Sequence, residues 1–111
     1  MQLLIIVLNR EDYLEKVLSL MIEAGITGAT ILNSEGLGHF LAYEVPIFAG
    51  LRQLMGEKRS ANRTIFAVVE KEENLKEFKR LLEEEKIDFT QTGMGIIALL
   101  PVDEVIKPKK S

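Results

Sequence analysis

Residues 23–38 read EAGITGATILNSEGLG, with two pairs of glycines around one short apolar run. Gly25 and Gly28 precede the run, and Gly36 and Gly38 follow it. The run itself, 29–33, has the composition of a strand. Glycines in such places have two readings. They satisfy turn geometry, or they leave backbone N–H groups open to a bound anion.

The chain before this stretch predicts a strand followed by a helix. Residues 3–8 are continuously apolar, as in a strand covered on both faces. Asn9 is a candidate helix cap. Gly25 is a candidate for the position that ends the helix. Between them, one helical stripe is formed by Leu14, Val17, Leu18, Met21 and Ile22.

The second half repeats this order. We predict a strand over 64–70, a helix over 73–86 with apolar positions Leu75, Phe78, Leu81 and Leu82, and a strand over 95–100 that Pro101 ends. The fold predicted is therefore α+β: a ferredoxin-like β-α-β-β-α-β sandwich, with a four-stranded antiparallel sheet and two helices on one face. Strands this apolar predict that the other face is also covered, most simply by other subunits.

A long connection over about 37–63 joins the two halves, and connections of this length are often functional. The sequence PIFAGLRQLMG predicts a short helix within about 47–55, and the basic stretch GEKRSANR follows it. Another basic stretch forms a C-terminal tail over about 105–111.

Composition narrows the functional classes. The 111 residues, 47% of them hydrophobic, predict one domain over 1–111, and the net charge of −3 argues against nucleic-acid binding. With no cysteine and one histidine, disulfides are excluded and a zinc site within one chain is not expected. The N-terminal apolar run is too short for a signal peptide or a membrane span, so we expect a cytoplasmic protein without membrane insertion.

Residues 23–38, together with GMGIIALLPVDEVIK near the C-terminus, resemble the PII-like signalling proteins. In that family an Ala-Gly turn ends a helix, Thr-Gly-x-Thr leads into a strand, and Gly-x-Gly opens a long T-loop. The matching residues here are Ala24-Gly25, Thr27-Gly28-x-Thr30 and Gly36-Leu37-Gly38. The late pattern of that family is matched by Gly93-Met94-Gly95, Pro101-Val102-Asp103-Glu104, Lys107 and Lys109.

The resemblance implies a homotrimer with ATP, ADP or another adenine nucleotide in each cleft between subunits. It implies that one subunit brings Gly28, Thr30 and the turn 36–38, while another brings the turn 93–95 and the basic tail. The long connection would then signal to a partner, such as a membrane transporter or an enzyme.

Several family positions differ in this chain. Typical members carry an Asp between the late glycines and a basic residue after them, where this chain has Met94 and Ile96. Phe40, beside His39, stands where members that sense 2-oxoglutarate have Gln, and Asn62 stands near the usual phosphate-binding lysine of the loop. The resemblance therefore implies a divergent member with an altered or lost ligand.

Other readings stay open at this point. His39 is either a metal-binding or titrating residue or an ordinary polar one. Lys58, Arg59 and Arg63 either hold an anion or solvate the end of the loop. Lys107, Lys109 and Lys110 either contact phosphate or belong to a disordered terminal tail. A CutA-like structural or metal-tolerance trimer is the main alternative. An enzyme is not expected, because no nucleophile–base pair is recognisable and 9–12 lacks the glycines of an acylphosphatase phosphate loop.

Overall fold

The computed structural model describes residues 1–54 and 62–109. Its larger helices and strands are, in chain order, β1 (Gln2–Leu8), α1 (Leu14–Glu23), β2 (Ala29–Ser34), α2 (Leu37–Glu44), α3 (Leu51–Leu54), β3 (Asn62–Val69), α4 (Glu72–Glu84) and β4 (Gly95–Pro101). Short 3-10 turns precede α1 at Glu11–Tyr13 and α3 at Pro46–Phe48.

The four strands form one sheet in the order β2-β3-β1-β4, and each neighbouring pair is antiparallel. This order follows from two β-α-β halves whose first strands lie side by side in the centre. The predicted ferredoxin-like α+β sandwich is confirmed.

Helices α1 and α4 cover one face of the sheet. The buried core between them and the strands is made of aliphatic side chains and one fully buried ring, Phe78. All four apolar positions predicted for the second helix are buried in it. Because burial of such side chains is the main source of folding free energy, this layer holds the two halves together.

The predicted stripe of α1 is partly wrong. Val17 and Met21 are buried as expected, but Ile22 is 64% exposed. The buried face is centred on Val17, Leu20 and Met21, which follow the i, i+3, i+4 spacing, and Ile22 lies to one side of it.

Asn9 does not cap the helix, contrary to the prediction. The 3-10 turn before α1 begins after Arg10. No side chain caps the N-terminus of this turn or that of α1. The backbone N–H of Asn9 instead donates to the carbonyl oxygen of Met94 at 2.9 Å. The end of β1 is thereby tied to the turn that leads into β4.

The other sheet face carries apolar side chains from all four strands. In the register of the sheet, Leu3 lies beside Val68 and Leu100, and Ile5 beside Phe66. Since α1 and α4 both pack on the opposite face, Val68 and Leu100 are 39% and 46% exposed in the chain. We call this surface the open sheet face.

The long connection is more helical than predicted. Helix α3 and the 3-10 turn lie where a short helix was expected, but α2 also forms directly after Gly36, with Gly38 inside it. The extended backbone of Gly36 starts α2, and its carbonyl oxygen accepts the N–H of Phe40 at 2.9 Å. The predicted anion-binding residues Lys58, Arg59 and Lys110 lie outside the described residues.

Within residues 1–54 and 62–109, no helix has the length and apolar character needed to cross a membrane.

Candidate functional site

One cavity of about 700 Å³ brings together glycines from both halves of the chain. Gly36 and Gly38 line it together with Gly93 and Gly95, which lie 57 positions further along. They meet because the antiparallel pairing of the strands places the end of β2 and the start of β4 at the same end of the sheet. Other lining residues are Arg10, His39, Asn62 and Ile96. We call this space the glycine cavity.

A second cavity, of about 430 Å³, lies at the other end of β2. Gly28 lines it together with Lys107, so the basic tail folds back toward the turn that precedes β2. Glu70, Lys71 and Asn74 contribute to the same wall. We call this space the tail cavity.

Within one chain, the predicted site residues fall into two groups, one at each cavity. The sequence-based interpretation assigned Gly28, Gly36 and Gly38 to one subunit of a shared site, and the late glycines with the tail to another. In the chain, the late glycines share a cavity with Gly36 and Gly38, whereas Gly28 shares one with Lys107. The reason is the length of β2, whose six residues separate its two ends by about 20 Å.

The remaining predicted residues are distributed as follows. Thr30 is exposed on the open sheet face opposite Phe66. Leu37 is the first residue of α2 and is 74% exposed. The side chain of Met94 is buried in the core, and Lys109 is exposed outside both cavities.

Gly95 is required by the backbone of the chain itself. Its φ is +127°, and a Cβ at this position would lie 1.8 Å from the carbonyl oxygen of Val7. Gly93 has a φ of +88°, which L side chains rarely adopt. Gly93 and Gly95 are therefore explained by the backbone geometry of the bend that enters β4.

The backbone makes no comparable demand at Gly36 and Gly28. Gly36 has an ordinary extended conformation, and the nearest atom to an added Cβ is Asn62 Nδ2 at 3.6 Å. An added Cβ at Gly28 meets nothing within 4 Å. Neither position requires glycine on steric grounds, and at each of them bare backbone borders a cavity.

A polar bridge ties both ends of the connection at the glycine cavity. Ser34 Oγ lies 2.5 Å from Asn62 Oδ1, 3.1 Å from the carbonyl oxygen of Asn62 and 2.8 Å from Thr64 Oγ1. Asn62 thus closes the bridge and also lines the cavity beside Gly36.

Helix α2 carries a chain of polar and aromatic contacts away from the cavity. His39 Nδ1 lies 2.6 Å from Glu35 Oε2, and its ring stacks on Tyr43 at a centroid distance of 4.7 Å. Arg52 of α3 lies over the Tyr43 ring, and its Nε donates to the carbonyl oxygen of Ala42 at 2.8 Å. These contacts dock α3 against α2. The described part of the chain holds no group of three or more side chains suited to a metal ion.

Three basic side chains near the cavities form ion pairs. Arg63 Nη2 lies 2.6 Å from Glu11 Oε1, and Lys107 Nζ lies 2.8 Å from both carboxylate oxygens of Glu70. Arg10 donates to both oxygens of Asp12, and these hydrogen bonds raise the pKa of its guanidinium.

Arg10 was not identified as a lining residue from the sequence. A signal for it existed, because Arg10 follows the end of a central strand, and that end meets the start of the last strand in this topology. Asn62, by contrast, was noted only as a replacement for a lysine, and its bridge to Ser34 could not be read from spacing.

Comparison with known protein families gives a match over the whole chain. No curated protein matches the sequence significantly. The sequence model of the family described as "Nitrogen regulatory protein P-II" matches residues 1–111. Together with the ferredoxin-like sheet and the paired glycine motifs, this match shows that the chain belongs to the nitrogen regulatory protein P-II family.

Proposed function

We propose that this member of a family of regulatory proteins is a cytoplasmic homotrimer that senses an adenine nucleotide, such as ATP or ADP, in clefts between its subunits. It passes the signal to a partner protein, a membrane transporter or an enzyme, through the connection 37–63. The observation that carries the proposal is the glycine cavity, in which Gly36 lies bare without any structural need for glycine.

The open sheet face supports the trimer. A chain that leaves Val68, Ile96 and Leu100 substantially exposed on one side of a sheet gains free energy by burying them. Closed rotational symmetry lets identical subunits cover one another's faces without leaving a free end.

The two cavities support a site shared between subunits. Gly28 and Lys107 lie at one end of β2, and Gly36 and Gly38 at the other. One chain cannot bring these two surfaces onto one small ligand, whereas a neighbouring chain is free to supply the second surface. The lysines of the tail would then meet the phosphates held near bare glycine backbone.

The position of α2 supports a route from ligand to partner. The helix begins at the wall of the glycine cavity, so a ligand there contacts residues whose geometry sets its start. The signal requires a ligand that binds one arrangement of the connection more tightly than another. Beyond the cavity the connection exposes Leu37, Phe40 and Ile47, which either dock the partner or pack within the trimer.

Isothermal titration with ADP, ATP and cyclic nucleotides tests the proposal. We expect saturable binding of at least one of them, weakened by Gly36→Val, whose side chain enters the cavity. Gly50→Val is the matched control, because Gly50 lies in the same connection, outside the glycine cavity, with nothing within 4 Å of an added Cβ. Absence of binding at millimolar nucleotide would overturn the nucleotide part.

The mass in solution tests the assembly, and a monomer would contradict it. Thermal shift with divalent metals tests the CutA-like alternative. Stabilisation by a metal, with no response to any nucleotide, would favour that alternative over the proposal.

A further inference from the structure

We propose that Arg10 recognises the negative charge of a phosphate-bearing ligand in the glycine cavity. This inference rests on the proposed function and names the residue that gives the site its preference for anions. Among the described residues that line the cavity, Arg10 is the one with a permanent charge. The others are glycine, apolar or neutral polar residues, apart from His39, whose Nδ1 faces Glu35 at 2.6 Å.

The position of Arg10 suits this role. It follows β1 directly, and the preceding residue, Asn9, is bonded through its backbone to Met94 between the late glycines. Its guanidinium is therefore carried on the rim that joins β1 to the turn 93–95. Ile96, which follows that turn, is 59% exposed and offers no charge to a ligand.

Asp12 and Tyr13 orient the guanidinium of Arg10, and the bonds to Asp12 do not involve all of its N–H donors. Nε and Nη2 donate to Asp12 at 3.0 and 2.7 Å, and Cζ lies 4.9 Å from the centroid of the Tyr13 ring. These contacts leave the N–H groups of Nη1 outside the pair with Asp12. The side chain is 39% exposed, so a phosphate group has access to it.

An anion can compete for this arginine at small cost. Exposed ion pairs between near neighbours in sequence contribute little to stability, so loss of the Arg10–Asp12 pair is readily offset. A planar guanidinium bonds two phosphate oxygens at once, and bare glycine backbone at Gly36 and Gly38 lets the phosphate approach. Arg10 thus acts as a binding residue for charge rather than as a structural one.

The test compares ATP and inorganic tripolyphosphate by isothermal titration on the intact protein. We expect Arg10→Gln to raise the Kd of both by about tenfold or more, since it removes a charge-assisted pair of hydrogen bonds. Arg10→Lys keeps the positive charge but loses the planar guanidinium and its paired donors. For each ligand we therefore expect a Kd between that of the wild type and that of Arg10→Gln. Arg10→Lys also serves as the second variant if Arg10→Gln fails to fold.

Arg80→Gln is the matched control. It removes the same charge from an exposed arginine of α4 that pairs with Glu77 and Glu84 and lies outside both cavities. We expect no measurable change in its Kd.

The outcomes separate this inference from the proposed function. If the wild type binds ATP and Arg10→Gln binds it equally well, the role of Arg10 is overturned and the proposed function stands. A second outcome is that tripolyphosphate binds in a way that depends on Arg10 while ATP binds no more tightly than tripolyphosphate does. That result would support the role of Arg10 and would overturn the proposal that the site recognises adenine. If neither probe binds at millimolar concentration, both proposals are overturned.

Discussion

Lys86 ends helix α4 in the same left-handed backbone conformation in which Gly25 ends helix α1, with φ of 59° and 88°. In each case the next residue is a buried isoleucine, Ile26 or Ile87. Its N–H donates back to the carbonyl oxygen five residues earlier, at 2.8 and 2.9 Å. This is the Schellman arrangement, and it ends both helices of the sandwich in the same way. Only the first of the two uses the residue that this conformation favours.

The first prediction follows from that difference. Lys86→Gly should raise the free energy of unfolding by about 1 kcal/mol, because glycine adopts a positive φ without the steric cost of a Cβ. The measurement is chemical denaturation at matched protein concentration, since assembly shifts apparent stability. The reverse change, Gly25→Lys, is the control and should destabilise, as its Cβ would also press on Asn74 at 3.1 Å. A less stable Lys86→Gly variant would contradict the prediction.

The second prediction concerns Gly95. Gly95→Ala should destabilise the fold by about 3 kcal/mol or more, because its Cβ would collide with the carbonyl oxygen of Val7 and part β1 from β4. Denaturation curves or loss of soluble protein report the effect. Gly28→Ala is the matched control, with free space around the new Cβ, and should change stability by no more than about 0.5 kcal/mol. Equal effects at the two positions would refute the steric explanation.

Much of the fold could be predicted from the sequence because its main helices bury a regular stripe of apolar side chains and its first strand is a continuous apolar run. The apolar positions of α4 repeat at helical spacing against charged neighbours, and all of them are buried. Gly25 likewise marked the end of α1. Helix α2 was not predicted, because its apolar residues do not form a single stripe at helical spacing. Only Ala42 is buried in it, while Leu37 and Phe40 are exposed.

The candidate site was less predictable, for a topological reason. Which glycines share a cavity depends on the antiparallel pairing of the strands, which places the start of β4 and the end of β2 at the same end of the sheet. Motif spacing identifies Gly36 and Gly93 as unusual but contains no information on which end of the sheet each occupies. The same limitation hid Arg10, whose place in the cavity depends on where β1 ends.

The third prediction tests the role of the open sheet face in assembly. If the chain assembles into the proposed trimer, Val68→Glu should convert it to monomers, because each interface would have to bury a carboxylate without a partner. In the single chain Val68 is 39% exposed, so the fold itself should be retained. Sedimentation and circular dichroism measure the two effects. Ile22→Glu, at a 64% exposed apolar position on α1, should leave the mass unchanged. A trimer that survives Val68→Glu would argue against assembly through this face.

The fourth prediction concerns the pKa of Asp88, in the turn after α4. The hydroxyl and the backbone N–H of Thr90 donate to Asp88 Oδ1 at 2.6 and 2.9 Å, and these bonds lower the pKa of the carboxyl group. The group therefore stabilises the fold above its ordinary pKa of about 4, and this contribution is lost as the pH falls through the lowered value. Thr90→Val removes the hydroxyl and should move the pKa back toward its ordinary value.

An NMR titration of the Asp88 carboxyl carbon measures this shift. Gln91→Ala is the control, because Gln91 contacts Asp88 through a backbone N–H bond to its carbonyl oxygen that the substitution keeps. An unchanged pKa in Thr90→Val would show that the hydroxyl is not the cause.

The fifth prediction concerns the bridge that closes the base of the connection. Ser34→Ala removes the oxygen that contacts both Asn62 and Thr64, so the end of β2 should separate more often from the start of β3. A lost side-chain hydrogen bond costs about 1 kcal/mol, which corresponds to amide exchange faster by about fivefold or more across residues 34–40. Exchange measured by mass spectrometry on peptides reports it, with Ser19→Ala on the exposed side of α1 as the control. Since Asn62 lines the glycine cavity beside Gly36, the same change should also weaken the proposed nucleotide binding. Faster exchange with unaltered affinity would mean that the bridge holds the connection without shaping the site.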